Sequence, residues 1–165
     1  MCLVLLALLL SFSGSVNAWG PLGHEIASGI TQSRLSESSI EQIARIIPGE
    51  TLRAAALWPD RMRSSREPFW QQQAGAYHYV TVPDGYDYGE LPPPEHGDAV
   101  TALAGFSKVL LDPDAAMDDQ RLALRFTIHI IQDLHQPLHV GNGKDRGGTR
   151  YWVELDAGEA GKANP

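Results

Sequence analysis

The chain has 165 residues, with 20 aspartates and glutamates against 13 lysines and arginines and a net charge of −7. That balance excludes a general basic surface for duplex DNA, so an anionic ligand must be drawn by local charge, which bound divalent cations can supply. A single cysteine, Cys2, leaves no pair for an intrachain disulfide.

The chain begins with an apolar run from Leu3 to Leu10, followed by small and polar residues ending in Val16-Asn17-Ala18. This reads as a signal peptide over residues 1–18 with an A-x-A-like cleavage site. The run is far shorter than the roughly 20 residues that a membrane-spanning helix needs. A secreted or periplasmic product without a membrane anchor is therefore expected. Cleavage after Ala18 removes Cys2 and leaves Trp19 with a free α-amine. The mature part, residues 19–165, is one domain of about 150 residues, enough to bury roughly two thirds of its surface. Without disulfides it must be held by its core, by metal or by partners.

Apolar residues recur at three- and four-residue spacing over Glu25–Leu35, Ser38–Ile47, Gly97–Leu111 and Asp118–Leu134, which predicts four helices and an all-α fold class. Ser36 stands where the second helix needs a cap, and Asp114 falls in the turn before the fourth. Thr81–Pro94, broken by Pro83, Gly85, Gly89 and Pro92-Pro93-Pro94, predicts a long loop of the kind that often carries function. Beyond His139 come Gly141, Gly143, Gly147 and Gly148, a short strand-like run Arg150–Leu155, and a polar Gly/Ala tail.

The densest chemistry lies in Phe126–His139, FTIHIIQDLHQPLH, with three histidines and an aspartate in eleven residues. His129 and Asp133 are four apart, so on a helix they share a face and can grip one metal. His139 follows Asp133 across Pro137, where the chain leaves or kinks the helix and can turn back toward the same cavity. Weaker alone are Trp58-Pro59-Asp60, which also reads as a turn, and Tyr77-His78-Tyr79, which also reads as core packing. Trp19-Gly20-Pro21-Leu22-Gly23-His24 adds an α-amine and carbonyl that can chelate, with His24 close by.

Taken in order, WG-x2-GH, WPD-x2-R, HY and H-x3-D-x5-H with a Gly-Gly turn after it resemble the zinc-dependent single-strand nucleases of S1/P1 type. That family shares its helical fold with the zinc phospholipases C, and the resemblance runs from Trp19 to about Gly148. It implies a phospholipase C/nuclease-like helical domain around a zinc cluster. One Zn2+ would be held by Asp60, His78, His129 and Asp133, and a second by Trp19, His24 and the same Asp133 as a bridge. It further implies that Arg63 steadies charge on the phosphate, that Asp60, Asp133 and Arg63 form the catalytic set, and that Tyr79 stacks on an unpaired base. The activity implied is endonucleolytic cleavage of single-stranded DNA and RNA to 5′-phosphate products, with 3′-nucleotidase activity, by a monomer.

In the family, His139 shares a third zinc with a later histidine and aspartate. This chain has no histidine after His139, and among the strand-like residues downstream the only carboxylates nearby are Glu154 and Asp156. Two zinc sites are therefore expected rather than three. The chain reads as the N-terminal part of such a nuclease, with its C-terminal helices missing. Thr149 and Thr81 also depart from the family pattern, and His96 and His135 match no ligand position. A phospholipase C and an inactive truncated remnant are the alternatives.

Overall fold

The computed structural model describes residues 20–144, which form six α-helices, two 3₁₀ turns and one pair of two-residue strands. The signal peptide, Trp19, the Gly147-Gly148 turn, Thr149, the run from Arg150, and Glu154 and Asp156 lie outside the described residues.

Helix α1, Pro21–Gln32, starts earlier than the apolar spacing alone predicts, because Pro21 in its first turn has the helical φ built in and no N–H to leave unpaired. Helix α2, Glu37–Ile46, is capped by Ser36, whose hydroxyl accepts the Ser39 N–H. Helix α3, Leu52–Met62, is not among the helices that the spacing predicts, since Trp58-Pro59-Asp60 looks like a turn. Pro59 falls in its last turns, where the helix forfeits one backbone bond instead of ending, and Thr51 caps its start by accepting the Ala54 N–H. A short helix α4, Pro68–Gln72, leads into a 3₁₀ turn at Ala74–His78.

Strand β1, Val80–Thr81, pairs in parallel with β2, Val140–Gly141, which follows the 3₁₀ turn Pro137–His139. The pairing is small, but it lays the segment after His78 beside the segment after His139. Between β1 and helix α5, Ala99–Leu111, runs the predicted loop, tied to the β2 end by Asp84, which accepts from Asn142 at 3.1 Å and Lys144 at 3.0 Å. Helix α6, Met117–Leu134, packs against α1, α2, α3 and α5. No helix among the described residues is long and apolar enough to cross a membrane.

Helix α6 divides the core. Phe126 and Ile130, both fully buried, join Trp70, Ala74, Val80, Ala99 and Ala102 on one side. On the other side Leu124 meets Ile47 and Ala55, with Ile43 and Ile128 packed against them. His129 and Asp133 lie on the buried side of the same helix, so the site is built on its most heavily packed element.

The loop is closed onto α5 by one carboxylate. Asp98 accepts the Thr101 N–H at 2.8 Å while the Thr101 hydroxyl accepts the Asp98 N–H, and the Tyr88 hydroxyl donates to both Asp98 oxygens at 3.1 and 3.2 Å. Gly97, at φ +76°, permits the turn into this cap, and a Cβ there would meet the Thr101 hydroxyl at 2.7 Å. Asp98→Ala is expected to cost about 1–2 kcal/mol through the lost cap and the stranded Tyr88 hydroxyl. A urea midpoint equal to that of the parent would refute this role.

Candidate metal centre

Six sequence-predicted residues converge, brought by five segments of chain. His24 comes from α1, Asp60 from the end of α3, His78 from the first 3₁₀ turn, His129 and Asp133 from α6, and His139 from the second 3₁₀ turn. His24, His78, His129 and Asp133 are buried, His139 is partly covered, and the Asp60 side chain is 33% exposed, which gives the cluster a solvent side.

Asp133 is the centre. Its Oδ2 lies 2.9 Å from His129 Nε2, 3.1 Å from His78 Nδ1 and 3.7 Å from His139 Nδ1, while its Oδ1 faces His24 Nε2 at 3.4 Å. Asp60 spans the same two groups, with Oδ2 at 3.9 Å from His24 and Oδ1 at 3.7 Å from His78 and 4.0 Å from His129. The rings of His24 and His129 stack with centroids 4.4 Å apart.

Three imidazoles are oriented by acceptors, for His24 and His129 on the side away from the carboxylates and for His139 at the same nitrogen that lies near Asp133. His129 Nδ1–H donates to the Ala56 carbonyl at 2.6 Å, His24 Nδ1–H to Gln132 Oε1 at 2.7 Å, and His139 Nδ1–H to the His78 carbonyl at 2.5 Å. Gln132 is itself fixed by donating to Ser28 Oγ at 3.1 Å. These partners leave Nε2 of His24 and His129 as lone pairs turned toward the carboxylates, the arrangement by which outer residues prepare imidazole for a metal. Ser28, Gln132 and the Ala56 carbonyl carry no motif of their own. Only the position of Gln132 beside Asp133 signals it in the sequence.

The donor set fits zinc. Asp133 Oδ1 is buried with no hydrogen-bond donor, and His78 Nδ1 and His129 Nε2 stand 2.7 Å apart against one carboxylate oxygen. Such facing lone pairs repel without a proton or cation between them. Ligands 2.0–2.2 Å from a tetrahedral zinc stand roughly 3.3 Å from one another, within the spread found here. Two overlapping groups, His24–Asp60–His129 and His78–His129–Asp133, each bring their ligand atoms within 4.8 Å of one another.

The electrostatics agree. Burial pushes the His24 and His78 imidazoles toward lower pKa, so both favour the neutral, ligating form. Burial alone would raise the Asp133 carboxyl, but the His129 and His78 side chains bonded to it hold it well below the usual carboxylate range. Burial is the largest single influence on His129 and opposes its charge, but the hydrogen bond to Asp133, the charges of Asp133 and Asp60 and the bond to the Ala56 carbonyl together outweigh it and raise the pKa. The anion is thus fixed at the centre, with imidazoles around it.

Arg63 caps α3, with a 60% exposed side chain whose guanidinium donates to Asp60 Oδ1 at 3.4 Å. Tyr79, 50% exposed, directly follows the buried His78. His96 is exposed, and His135 is an exposed residue at the end of α6 that donates to the Ile131 carbonyl, so neither joins the cluster.

A family model described as S1/P1 Nuclease matches residues 19–162. Endonuclease 2 of Arabidopsis thaliana is 31% identical over 159 residues, covering 88% of this chain and 53% of its own length. Endonuclease 1 of the same plant is 30% identical, covering 90% of this chain and 52% of its own length. Nuclease S1 of Aspergillus oryzae is 30% identical, covering 84% and 49%. The chain thus spans about half the length of these curated relatives.

Proposed function

The chain belongs to the S1/P1 nuclease family, and from that premise we propose that it is a zinc-dependent nuclease that hydrolyses phosphodiester bonds of single-stranded DNA and RNA. The products are 5′-phosphates, and 3′-nucleotidase activity accompanies the endonuclease. The observation that carries this reading is Asp133, which directs one carboxylate oxygen toward His24 and the other toward His78 and His129. One buried anion thereby serves two donor groups.

In this reading His78, His129, Asp60 and Asp133 hold one Zn2+, and His24 with Asp133 holds a second, completed by the amine and carbonyl of Trp19. When bound, a zinc pair lowers the pKa of water and neutralises phosphate charge. The protein's own groups set the rest. Asp133 fixes the separation of the two donor groups, and Ala56, Gln132 and the His78 carbonyl hold the rings in register. Arg63, exposed beside Asp60, binds a phosphate oxygen and stabilises the charge that grows there. His139 borders the cluster without a further donor pair among the described residues. Export through the signal peptide at residues 1–18 places a monomer in the periplasm or outside the cell.

Tyr79 supports nucleic acid over phospholipid. An exposed phenol ring one residue after His78 offers a stacking face to any base, but only to an unpaired one. Tyr79→Ala is expected to raise KM for a single-stranded oligonucleotide by about 5- to 150-fold, since base stacking is worth roughly 1–3 kcal/mol. An unchanged KM would remove the stacking role.

The deciding experiment measures zinc per chain by elemental analysis and assays single-strand cleavage on the same sample. About two zincs together with cleavage supports the reading. A folded chain that takes up no zinc and cleaves nothing overturns it.

A further inference from the structure

One face of α6 carries a polar residue every fourth position: Arg121, Arg125, His129 and Asp133. At this spacing each lies one turn beyond the last, drifting only slowly round the helix. The first three reach back to the stretch from the last residue of α2 to the middle of α3. Arg121 Nε donates to the Ile46 carbonyl at 3.2 Å, and His129 bonds the Ala56 carbonyl. Arg125 does more. Its Nε donates to Glu50 at 3.1 and 3.2 Å and its Nη2 to Glu50 Oε2 at 2.7 Å, with both side chains about four-fifths covered. The same guanidinium lies over the Trp58 ring, 4.7 Å from its centroid.

Trp58 is two residues before Asp60, and Arg125 is one turn before His129. Between Trp58 and Asp60 stands Pro59, which can donate no hydrogen bond to the carbonyl of Ala55. The last turns of α3 are thus short of one backbone restraint where they carry a ligand. Asp60 is also the most exposed member of the cluster and makes its longest contacts, at 3.7–4.0 Å. Side-chain anchoring of Trp58 is the obvious substitute for the missing bond. Trp58 has two partners, Arg125 over its ring and Trp70 in a T-shaped contact at 5.1 Å.

We infer that Arg125 is a positioning residue for the metal centre: clamped by Glu50 and stacked on Trp58, it fixes the register of α3 against α6 and so the distance of Asp60 from His129 and Asp133. The inference rests on the reading of the cluster as a zinc site. Arginine is the residue for this task because its planar fork can pair bidentately with a carboxylate while its face lies on an aromatic ring. Lysine can supply the charge but not both contacts.

The test is zinc affinity of the full chain, read by competition with a chromophoric chelator, alongside the thermal midpoint of the metal-free protein. Arg125→Met should weaken zinc binding by about 10- to 100-fold, the usual effect of removing a residue that orients metal ligands. Arg125→Lys should fall between Arg125→Met and the parent, and it serves in its place if the methionine variant does not fold. Arg121→Met, which cuts a tie to α2 without touching Trp58, should bind zinc within about 2-fold of the parent, a change of under 0.5 kcal/mol. Parent-like affinity in both Arg125 variants would overturn the positioning role alone. Equal weakening in the Arg121 and Arg125 variants, tracking lost stability, would reduce Arg125 to a structural tie. A parent chain that binds no zinc would overturn the underlying reading and the inference with it.

Discussion

Asp133→Asn is expected to lower single-strand cleavage by on the order of 10³-fold or more, given that losing even one donor to developing charge costs about 10²–10³. The substitution keeps shape and volume but removes the anion that faces His24 on one side and His78 and His129 on the other. Zinc content should fall with it, because both donor groups lose their shared member. The fold should weaken but survive. Burial already favours neutral His24 and His78, and without the Asp133 charge the chief influence that raises the His129 pKa is gone, so His129 can shed its proton. The depressed Asp133 pKa means that its anion stabilises the folded state, and with that contribution lost metal-free stability should fall by about 1–3 kcal/mol. Cleavage assays, elemental analysis and urea melts on one preparation would decide the matter. A variant that still cleaves at the parent rate would remove Asp133 from the centre of the site.

Phe126→Ala should produce the largest loss of stability, about 3–5 kcal/mol. Phe126 is fully buried one turn before His129 and organises the aromatic core. It stacks on Phe106 with centroids 4.9 Å apart and on Trp70 at 5.6 Å, and takes the edges of Phe69 and Tyr77 at 6.0 and 5.8 Å. Four rings anchored on one side chain cannot all close onto an alanine, so a cavity remains. Set against a typical total of about 5–15 kcal/mol, that is enough to leave a marginal protein largely unfolded at body temperature. Phe126→Leu, which refills part of the volume, should recover much of the loss. A shift in urea midpoint corresponding to less than about 1 kcal/mol would mean that the rings repack without Phe126.

Much of the site is legible in the sequence. The four-residue step from His129 to Asp133 depends only on the helical period, so spacing alone puts the pair on one face, and the structure keeps it there. Ser36 as a cap and the run of breakers after Thr81 are equally readable, because capping and turn formation are local. Pro137 signals the end of α6, and the chain does turn there to carry His139 back beside Asp133. Helix α3 escapes the apolar spacing for a reason of the same local kind. Pro59 is a breaker in isolation, and only packing of Leu52, Ala55 and Ala56 against the rest of the protein outweighs the one backbone bond it forfeits.

The sequence by itself determined chemistry and period: an acidic chain, donor residues of the kinds that zinc prefers, and helices whose faces come from apolar spacing. Only the tertiary structure decided that His24, Asp60 and His78 meet Asp133 from separate elements, and which imidazole nitrogen each ring leaves free. The physical reason is range. A helical face is fixed by neighbours three and four residues away, whereas the approach of His78 to Asp133, 55 positions apart, depends on how α3, α6 and the β1–β2 pair dock. The acceptors that turn the rings, the Ala56 and His78 carbonyls, are backbone atoms, which no residue type announces.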